Sequence, residues 1–396
     1  MKTINDFNFN GLRAIIRVDF NVPLNEKFEI TSTNRIDAAI PTIKKILNDG
    51  GSVILMSHLG RPKTGPEDKF SLRHLTDYIG KCLDRNVYFA DDCIGSAAVE
   101  MSQKLKAGEV LLLENLRFYK EETAGDEVFA KKLADLADFY VNDAFGTAHR
   151  SHASTAVIAQ YFDGNHKAFG LLMAKEVEAM EQVMSHSQRP FTAILGGAKV
   201  SDKIKLISNL INKADNIVIG GGMMFTFVKA AGGKIGKSLV ENDFIEQVDD
   251  ILAKAKQKGV KIYIPTDVIA ADAFSEDANT KELPAGEIDD DRMGLDIGHI
   301  SREAIKDIVM SSKTILWNGP MGVFEMDKFA QGTKVVAEAI AETTSKGTYS
   351  LIGGGDSVSA INKYKLADKV SYVSTGGGAM LEYIEGKVLP GVAALM

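Results

Sequence analysis

Four glycine clusters stand in the second half of the chain, each at or just past the end of an apolar run. They are Gly196-Gly197 after FTAIL, Gly220-Gly221-Gly222 after NIVI, Gly353-Gly354-Gly355 after YSLI and Gly376-Gly377-Gly378 after SYVS. A strand that empties into bare backbone lets amide N–H groups approach a phosphate closely. Lys199, Lys203, Asp356 and Ser357 lie within or beside these clusters. Four of them in one half point to one phosphate-rich ligand, a nucleotide. The first half lacks such a set and carries arginines instead: Arg35, Arg61, Arg117 and Arg150, all near the ends of apolar runs. A guanidinium fork matches phosphate and carboxylate bidentately. Any one of these arginines reads equally well as a solvated surface charge, but four at strand ends predict an anion site. Asp19 and Asn21, after the first apolar run, can orient hydroxyl groups there.

Several of these residues also admit a plain structural role. GGAKVSDKIKLI (196–207) reads as a strand, a glycine turn and a helix, with Lys199 and Lys203 four apart on one helix face. Ser201 or Asp202 can instead cap that helix. In IGGGDSVSAI (352–361), Asp356 is either a helix cap or a ligand for Mg²⁺ on a nucleotide. WNGPMGVFE (317–325) offers Asn318, backbone amides and Glu325, which can accept a ribose hydroxyl. AGGKIGKS (231–238) is one residue from a Walker A loop, but it follows a helical pattern rather than a strand, and the motif fails without that strand. No GxGxxG occurs, which argues against a nicotinamide dehydrogenase.

The elements that must position these residues alternate in a βα rhythm. Strands are expected at 13–18, 52–57, 86–90, 109–114 and 139–143, then at 191–195, 216–219, 260–264, 313–317, 348–352 and 370–374. A helix is expected over 35–47, with Asn34 as a candidate cap and Pro41 inside it. Continuous apolar strands with crossover helices imply parallel sheets covered on both faces. So many strands exceed one ordinary open sheet, and two doubly wound α/β domains follow. The boundary is placed at 170–190, an amphipathic segment that ends at Arg189-Pro190. It reads either as a helix joining the domains or as one more crossover helix. EIDDDR (287–292) is expected to be a solvated loop.

The bulk properties set the frame. The 396 residues are 45% hydrophobic and 25% charged, as in ordinary soluble globular proteins. A net charge of −7 gives no global basic field, so nucleic acid is not an expected partner. No run reaches the length of a membrane span and no secretory leader is apparent, so a cytoplasmic location is expected. Cys82 and Cys93 are read as reduced thiols, and no Cys/His metal spacing exists.

RVDFNVP (17–23), SHLGRP (57–62), LLLENLRF (111–118), NDAFGTAHRSHAST (142–155), GGAKVSDKI (196–204), WNGPMGVFE (317–325), IGGGDS (352–357) and STGGGA (374–379) resemble, in order, the signature segments of the phosphoglycerate kinase family. The resemblance implies two Rossmann-like domains facing across a cleft. These are an N-terminal 3-phosphoglycerate domain (1–169), an interdomain helix (170–188) and a C-terminal nucleotide domain (189–379), with 380–396 returning to the first. Residues 170–190 and the stretch near 380 are the implied hinges. On the substrate side it implies roles for Asp19, Phe20, Asn21, His58, Leu59, Gly60, Arg61, Arg117 and Arg150, with Arg35 approaching the transferred phosphoryl group. On the nucleotide side it implies Lys203, Gly220, Gly221, Gly294, Leu295, Asn318, Glu325, Gly354, Gly355 and Ser357, with Asp356 holding Mg²⁺. Lys199 and the amides of Gly376 and Gly377 are implied to follow the phosphoryl group in transfer. The expected activity is reversible phosphoryl transfer between 1,3-bisphosphoglycerate and ADP by a monomer, in line and after closure of the domains. A non-catalytic nucleotide-binding protein of the same fold is the alternative, which loss of Arg35, Lys199, Lys203 or Asp356 would favour; all four stand. Arg292 and His299 occupy positions where the family has Trp and Pro, and His299 is read as a loop residue.

Overall fold

The computed structural model describes residues 1–63 and 65–396. The chain divides into two compact units, Met1–Glu178 with Val388–Met396, and Ala179–Lys387.

The first unit runs β1 (Arg13–Arg17), α1 (Asn34–Asn48), β2 (Ser52–Met56), α2 (Thr76–Leu83), β3 (Val87–Ala90), α3 (Ser96–Lys104), β4 (Val110–Leu113), α4 (Lys120–Ala124), α5 (Glu127–Ala134), β5 (Phe139–Asn142), β6 (Lys167–Phe169) and α6 (Leu171–Met184). Its sheet has the order β3-β4-β2-β1-β5-β6, and every pairing is parallel. Among the inner strands, β2 and β4 are buried throughout and apolar except for Ser52, and β1 buries AIIR behind a half-buried Arg13, as a sheet covered on both faces requires. Helix α1 turns Ile36, Ala39, Ile43 and Ile46 onto this sheet at helical spacing. It begins at Asn34, so Thr33 and not Asn34 stands at the cap position, and no side chain caps it, because the Thr33 hydroxyl donates to Asp37 Oδ2 instead. Pro41 and Asp37, whose carbonyl a proline at this position cannot bond, are both exposed residues of α1. The unit boundary falls inside α6.

The second unit continues with β7 (Phe191–Leu195), α7 (Ile204–Leu210), β8 (Asn216–Ile219), α8 (Met224–Ala230), β9 (Lys234–Ile235), α9 (Ile245–Lys258), β10 (Lys261–Tyr263), β11 (Asp267–Ala271), β12 (Thr280–Pro284), β13 (Glu287–Ile288), β14 (Met293–Ile297), α10 (His299–Met310), β15 (Thr314–Asn318), α11 (Gln331–Ser345), β16 (Tyr349–Ile352), α12 (Gly355–Lys363), β17 (Tyr372–Val373) and α13 (Gly378–Ile384). The main sheet, β10-β8-β7-β15-β16-β17, is again all parallel. A last short helix, α14 (Pro390–Ala393), belongs to the first unit.

Four expectations are corrected here. Residues 267–297 hold a three-stranded antiparallel sheet, β12-β11-β14, where the sequence suggested no strand. Its strands are short and, in β12, largely exposed, so they lack the continuous apolar run of a buried parallel strand. Glu287 and Ile288 of the expected acidic loop form β13, paired with Lys234 and Ile235 of the failed Walker segment. His299 is the first residue of α10, not a loop residue. Lys199 and Lys203 do not share a helix face, because α7 starts only at Ile204, with Lys203 at the cap position and neither Ser201 nor Asp202 capping it.

Candidate active site

In both units the main sheet reverses strand order beside its first strand, and the residues beyond the carboxyl ends of the strands form the ligand-binding edge of such sheets. In the first unit these residues are joined by hydrogen bonds. Arg35 Nη1 donates to Asp19 Oδ2 at 2.9 Å and to the Asn21 carbonyl at 3.2 Å. Asn21 Oδ1 accepts the Gly60 N–H at 2.8 Å, and the Gly60 carbonyl accepts Arg117 Nη1 at 2.8 Å. Buried Asn115 holds Leu59 at both its N–H and its carbonyl, and holds Arg117 at its N–H. Gly60 has φ +63°, and a Cβ there would sit 2.4 Å from the Phe70 ring. Arg61, Arg117 and Arg150 line one cavity of about 720 Å³ together with Lys63 and Lys120. Phe20 and Leu59 are part of the apolar core, so what they give the site is backbone rather than side chain.

Arg17 was not singled out from the sequence. It is 1% exposed, and its guanidinium donates to Ser154 Oγ, to the Val18 carbonyl and to His58 Nδ1. A guanidinium only donates, so His58 accepts at Nδ1 and is neutral. Burial, with Arg17, Arg117 and Arg35 nearby, holds the His58 pKa well below its ordinary value. Burial, with Arg17, Arg117 and Arg150 nearby, brings His152 down to about 4. Fully buried Glu122 accepts the Ser154 hydroxyl at 2.6 Å and its N–H at 3.0 Å, 3.9 Å from His152 Nδ1. Burial and the charges of Arg17 and Arg150 lower Arg117 to about 10. The signal for Arg17 was present, since a charge at the end of a buried strand must find partners; its side-chain partners, His58 and Ser154, lie 41 and 137 positions away.

In the second unit a pocket of about 310 Å³ has a mostly apolar wall that includes Met224, Phe225, Leu239, Phe274, Leu295 and Val323. Gly221, Gly294, Leu295, Glu325 and Asp356 of the expected set line it. The apolar walls Phe225, Leu239 and Phe274 went unnoticed in the sequence, because single hydrophobic residues carry no sign of facing a ligand. Gly220 lies behind the pocket, where a Cβ would meet the Met321 sulfur at 2.4 Å. A Cβ on Gly196 would lie 1.9 Å from the Pro320 carbonyl, so only glycine lets the segments that leave the ends of β7 and β15 approach so closely. Lys203 Nζ donates to Asn318 Oδ1, and Asn318 Nδ2 donates to the Gly353 carbonyl at 2.8 Å. Asn318 is buried, so it ties Lys203 to the turn that presents Gly354 and Gly355. Burial lowers the Lys203 pKa, against the charges of Asp202 and Asp356. Ser357 Oγ accepts the Gly319 N–H, a structural bond across the same edge. Lys199, Gly376 and Gly377 are not on the pocket wall; Lys199 is exposed in its loop, and the Gly376 N–H donates to Ser374 Oγ at 3.0 Å. Arg292 donates to the Asn279 carbonyl, away from the pocket wall. Asp356 is exposed in the first turn of α12, a hard oxygen donor on the pocket wall and a chemically apt ligand for Mg²⁺.

The family model for phosphoglycerate kinase matches residues 4–387. The chain is 55% identical to a phosphoglycerate kinase of Porphyromonas gingivalis over 99% of each chain. It is 51% identical to the cytosolic phosphoglycerate kinase of Nicotiana tabacum, over 99% of this chain and 97% of that one. The solved structure of phosphoglycerate kinase from Coxiella burnetii superposes with a TM-score of 0.92 at 40% identity, covering 99% of this chain and 98% of that one. With these matches over the full length of both units, the chain belongs to the phosphoglycerate kinase family.

Proposed function

We propose that the arginine cavity of the first unit holds the phosphate of 3-phosphoglycerate or 1,3-bisphosphoglycerate, and that the pocket of the second unit holds ADP or ATP. As a member of its family the chain is a kinase that moves a phosphoryl group to and from the carboxyl group of 3-phosphoglycerate. The observation that carries the site assignment is the convergence of Arg61, Arg117 and Arg150 on one cavity. The fold holds their charge close to that of buried Arg17, against one fully buried carboxylate, Glu122. An anionic ligand relieves that repulsion, and each charge-assisted hydrogen bond it accepts is worth about 1.5–3 kcal/mol.

The acceptor is a carboxylate, ionised at neutral pH, so the reaction needs no general base. Catalysis reduces to alignment and charge stabilisation. In this reading Asp19 and Asn21 orient the acceptor, His58, Gly60 and the backbone of Phe20 and Leu59 shape its seat, and Arg35 meets the phosphoryl group. Gly221, Gly294 and Leu295 hold the base against the apolar wall, with Gly220 packed behind them, and Glu325 accepts a ribose hydroxyl. Lys203, set by Asn318, and the turn Gly354-Gly355-Ser357 hold the phosphates. Lys199 and the turn at Gly376 and Gly377 follow the group in flight. Asp356 holds Mg²⁺, which when bound neutralises phosphate charge. Because acceptor and donor bind on different units, direct transfer requires a step that brings the ligands into line, and α6 with the stretch near 380 are the proposed hinges. The protein is proposed to act as a cytoplasmic monomer; no helix among the described residues is long and apolar enough to cross a membrane.

A coupled assay for ADP release from ATP and 3-phosphoglycerate, with and without Mg²⁺, tests this directly. We expect turnover that chelation abolishes. A folded protein without turnover would sink the assignment.

A further inference from the structure

Residues 196–203 carry both phosphate-side lysines on a stretch without regular structure, since helix α7 begins only at Ile204 and no side chain caps it. A free loop would leave Lys199 and Lys203 badly placed, and ordering it costs about 1–2 kcal/mol per residue in backbone entropy. Backbone bonds tie its ends, the Met223 N–H to the Gly197 carbonyl at 3.0 Å and the Lys203 N–H to the Val200 carbonyl at 2.9 Å, and one carboxylate from 40 positions away holds its middle. Glu241 Oε2 accepts the Ser201 N–H at 2.9 Å, and Glu241 Oε1 accepts the Ser201 hydroxyl at 2.7 Å. Both oxygens thus grip Ser201, between the two lysines, and the same carboxylate also meets the Val200 N–H and the charge of Lys199.

Glu241 is itself fixed. Its N–H donates to Thr226 Oγ1 at 3.2 Å, and Thr226 is buried in α8, the helix whose Met224 and Phe225 line the pocket. The residues just before Glu241 touch the pocket on their own account. Leu239 lines it, and Ser238 Oγ accepts the Gly294 N–H at 2.9 Å from the wall formed by β14. Leu239 is 59% exposed, so a bound base has an apolar side chain to cover. Glu241 is not on the pocket wall.

We propose that Glu241 is a positioning residue for phosphoryl transfer: through Ser201 it holds the lysine loop in register with the base pocket, so that base and phosphates are bound by one connected frame. The proposal rests on the reading of Lys199 and Lys203 as the phosphate-side lysines. It assigns to the strap 238–241 a task that neither its sequence nor its exposure announces. The pocket takes Gly197 and Ala198 from the loop and most of the rest of its wall from α8, Leu239, Phe274, β14 and residues 320–325, so loss of the latch releases the loop and leaves most of the base wall standing.

Calorimetry with adenosine and with ADP, alongside steady-state kinetics and melting curves, tests this in Glu241→Ala, Glu241→Gln, Ser201→Ala and the double alanine variant. Glu241→Ala should lower kcat roughly 10- to 100-fold, the scale of a misplaced reacting group. It should weaken ADP several-fold while adenosine affinity stays within about twofold. Ser201→Ala should move the same quantities in the same direction, and the double variant should be no worse than Glu241→Ala alone, because the two share one interaction. Glu241→Gln should recover most of the loss, since its carbonyl still accepts the Ser201 N–H. If adenosine and ADP affinities fall together with Tm, or if kcat is unchanged in folded Glu241→Ala, the proposal is wrong. The binding arm does not depend on turnover. A Lys203→Ala control that leaves ADP affinity intact would overturn the underlying reading of the loop, and with it the proposal.

Discussion

Arg35 is aimed by a carboxylate and a carbonyl although its side chain is 41% exposed, with Asp19 at 2.9 Å and Asn21 at 3.2 Å. An arginine aimed in this way costs little further ordering when charge develops in front of it. Arg35→Ala should therefore lower kcat by roughly 10³-fold or more, as for other arginines that meet a transferring phosphoryl group, while ATP affinity by calorimetry stays nearly unchanged. A large rise in the ATP dissociation constant would contradict its place in the first unit. His152 gives a pH signature. Its folded pKa lies near 4, against 6.5 for the free side chain, so the unfolded state binds more protons between those values. The neutral-imidazole contribution to stability is complete above pH 6.5 and is lost as pH falls toward 4. His152→Gln removes that titration, so the variant's Tm should gain on wild type as pH falls from 6.5 toward 4, by roughly 2–4 °C for each kcal/mol of the contribution lost. Parallel melting profiles would show that His152 does not carry the effect.

At the scale of elements, the parallel strands were legible because a buried parallel strand is a nearly continuous apolar run, polar only toward its ends, as at Arg17 and Asn142. FTAIL and NIVI became β7 and β8 with the bounds expected, and most of the others differ only by an end residue. The antiparallel sheet β12-β11-β14 was not legible, because its strands mix exposed charge with alanine. The glycine turns were readable as turns, and Gly196 shows why: the backbone of Gly319 and Pro320 occupies the space of its missing side chain. What could not be read was the far end of each contact. Asn318 under Lys203, Glu241 on Ser201 and Glu122 behind Arg17 are 115, 40 and 105 or more positions distant, and no local pattern joins them. The expectation of a single helix through Lys199 and Lys203 failed for the same reason, since the loop's partners lie outside it.

For the molecule as a whole, residues 388–396 complete the first unit although they follow the second in sequence. Leu389 and Leu395 are buried, the Gly391 N–H donates to the Ala148 carbonyl at 2.8 Å, and Lys167 Nζ donates to the Ala394 carbonyl at 2.9 Å. Removing residues 388–396 should destabilise the first unit by roughly 2–5 kcal/mol, the scale of losing one or two buried leucines, and leave the second almost untouched. Hydrogen exchange would show it: β5 and β6 amides should lose protection while β7 and β15 amides keep theirs. Equal loss in both units would refute the assignment of this segment to the first.

That return of the chain has a consequence for how the protein is made. A ribosome delivers the strands of the first sheet early, then spends roughly 10–40 s on the two hundred or so residues of 179–387 before the last stretch emerges. Throughout that interval the surfaces awaiting Leu389 and Leu395 stand open to water and to other nascent chains. The second unit can be finished while the first is still waiting for its own end. Newborn chains should therefore be most vulnerable to chaperone capture and proteolysis in the half that was synthesised first.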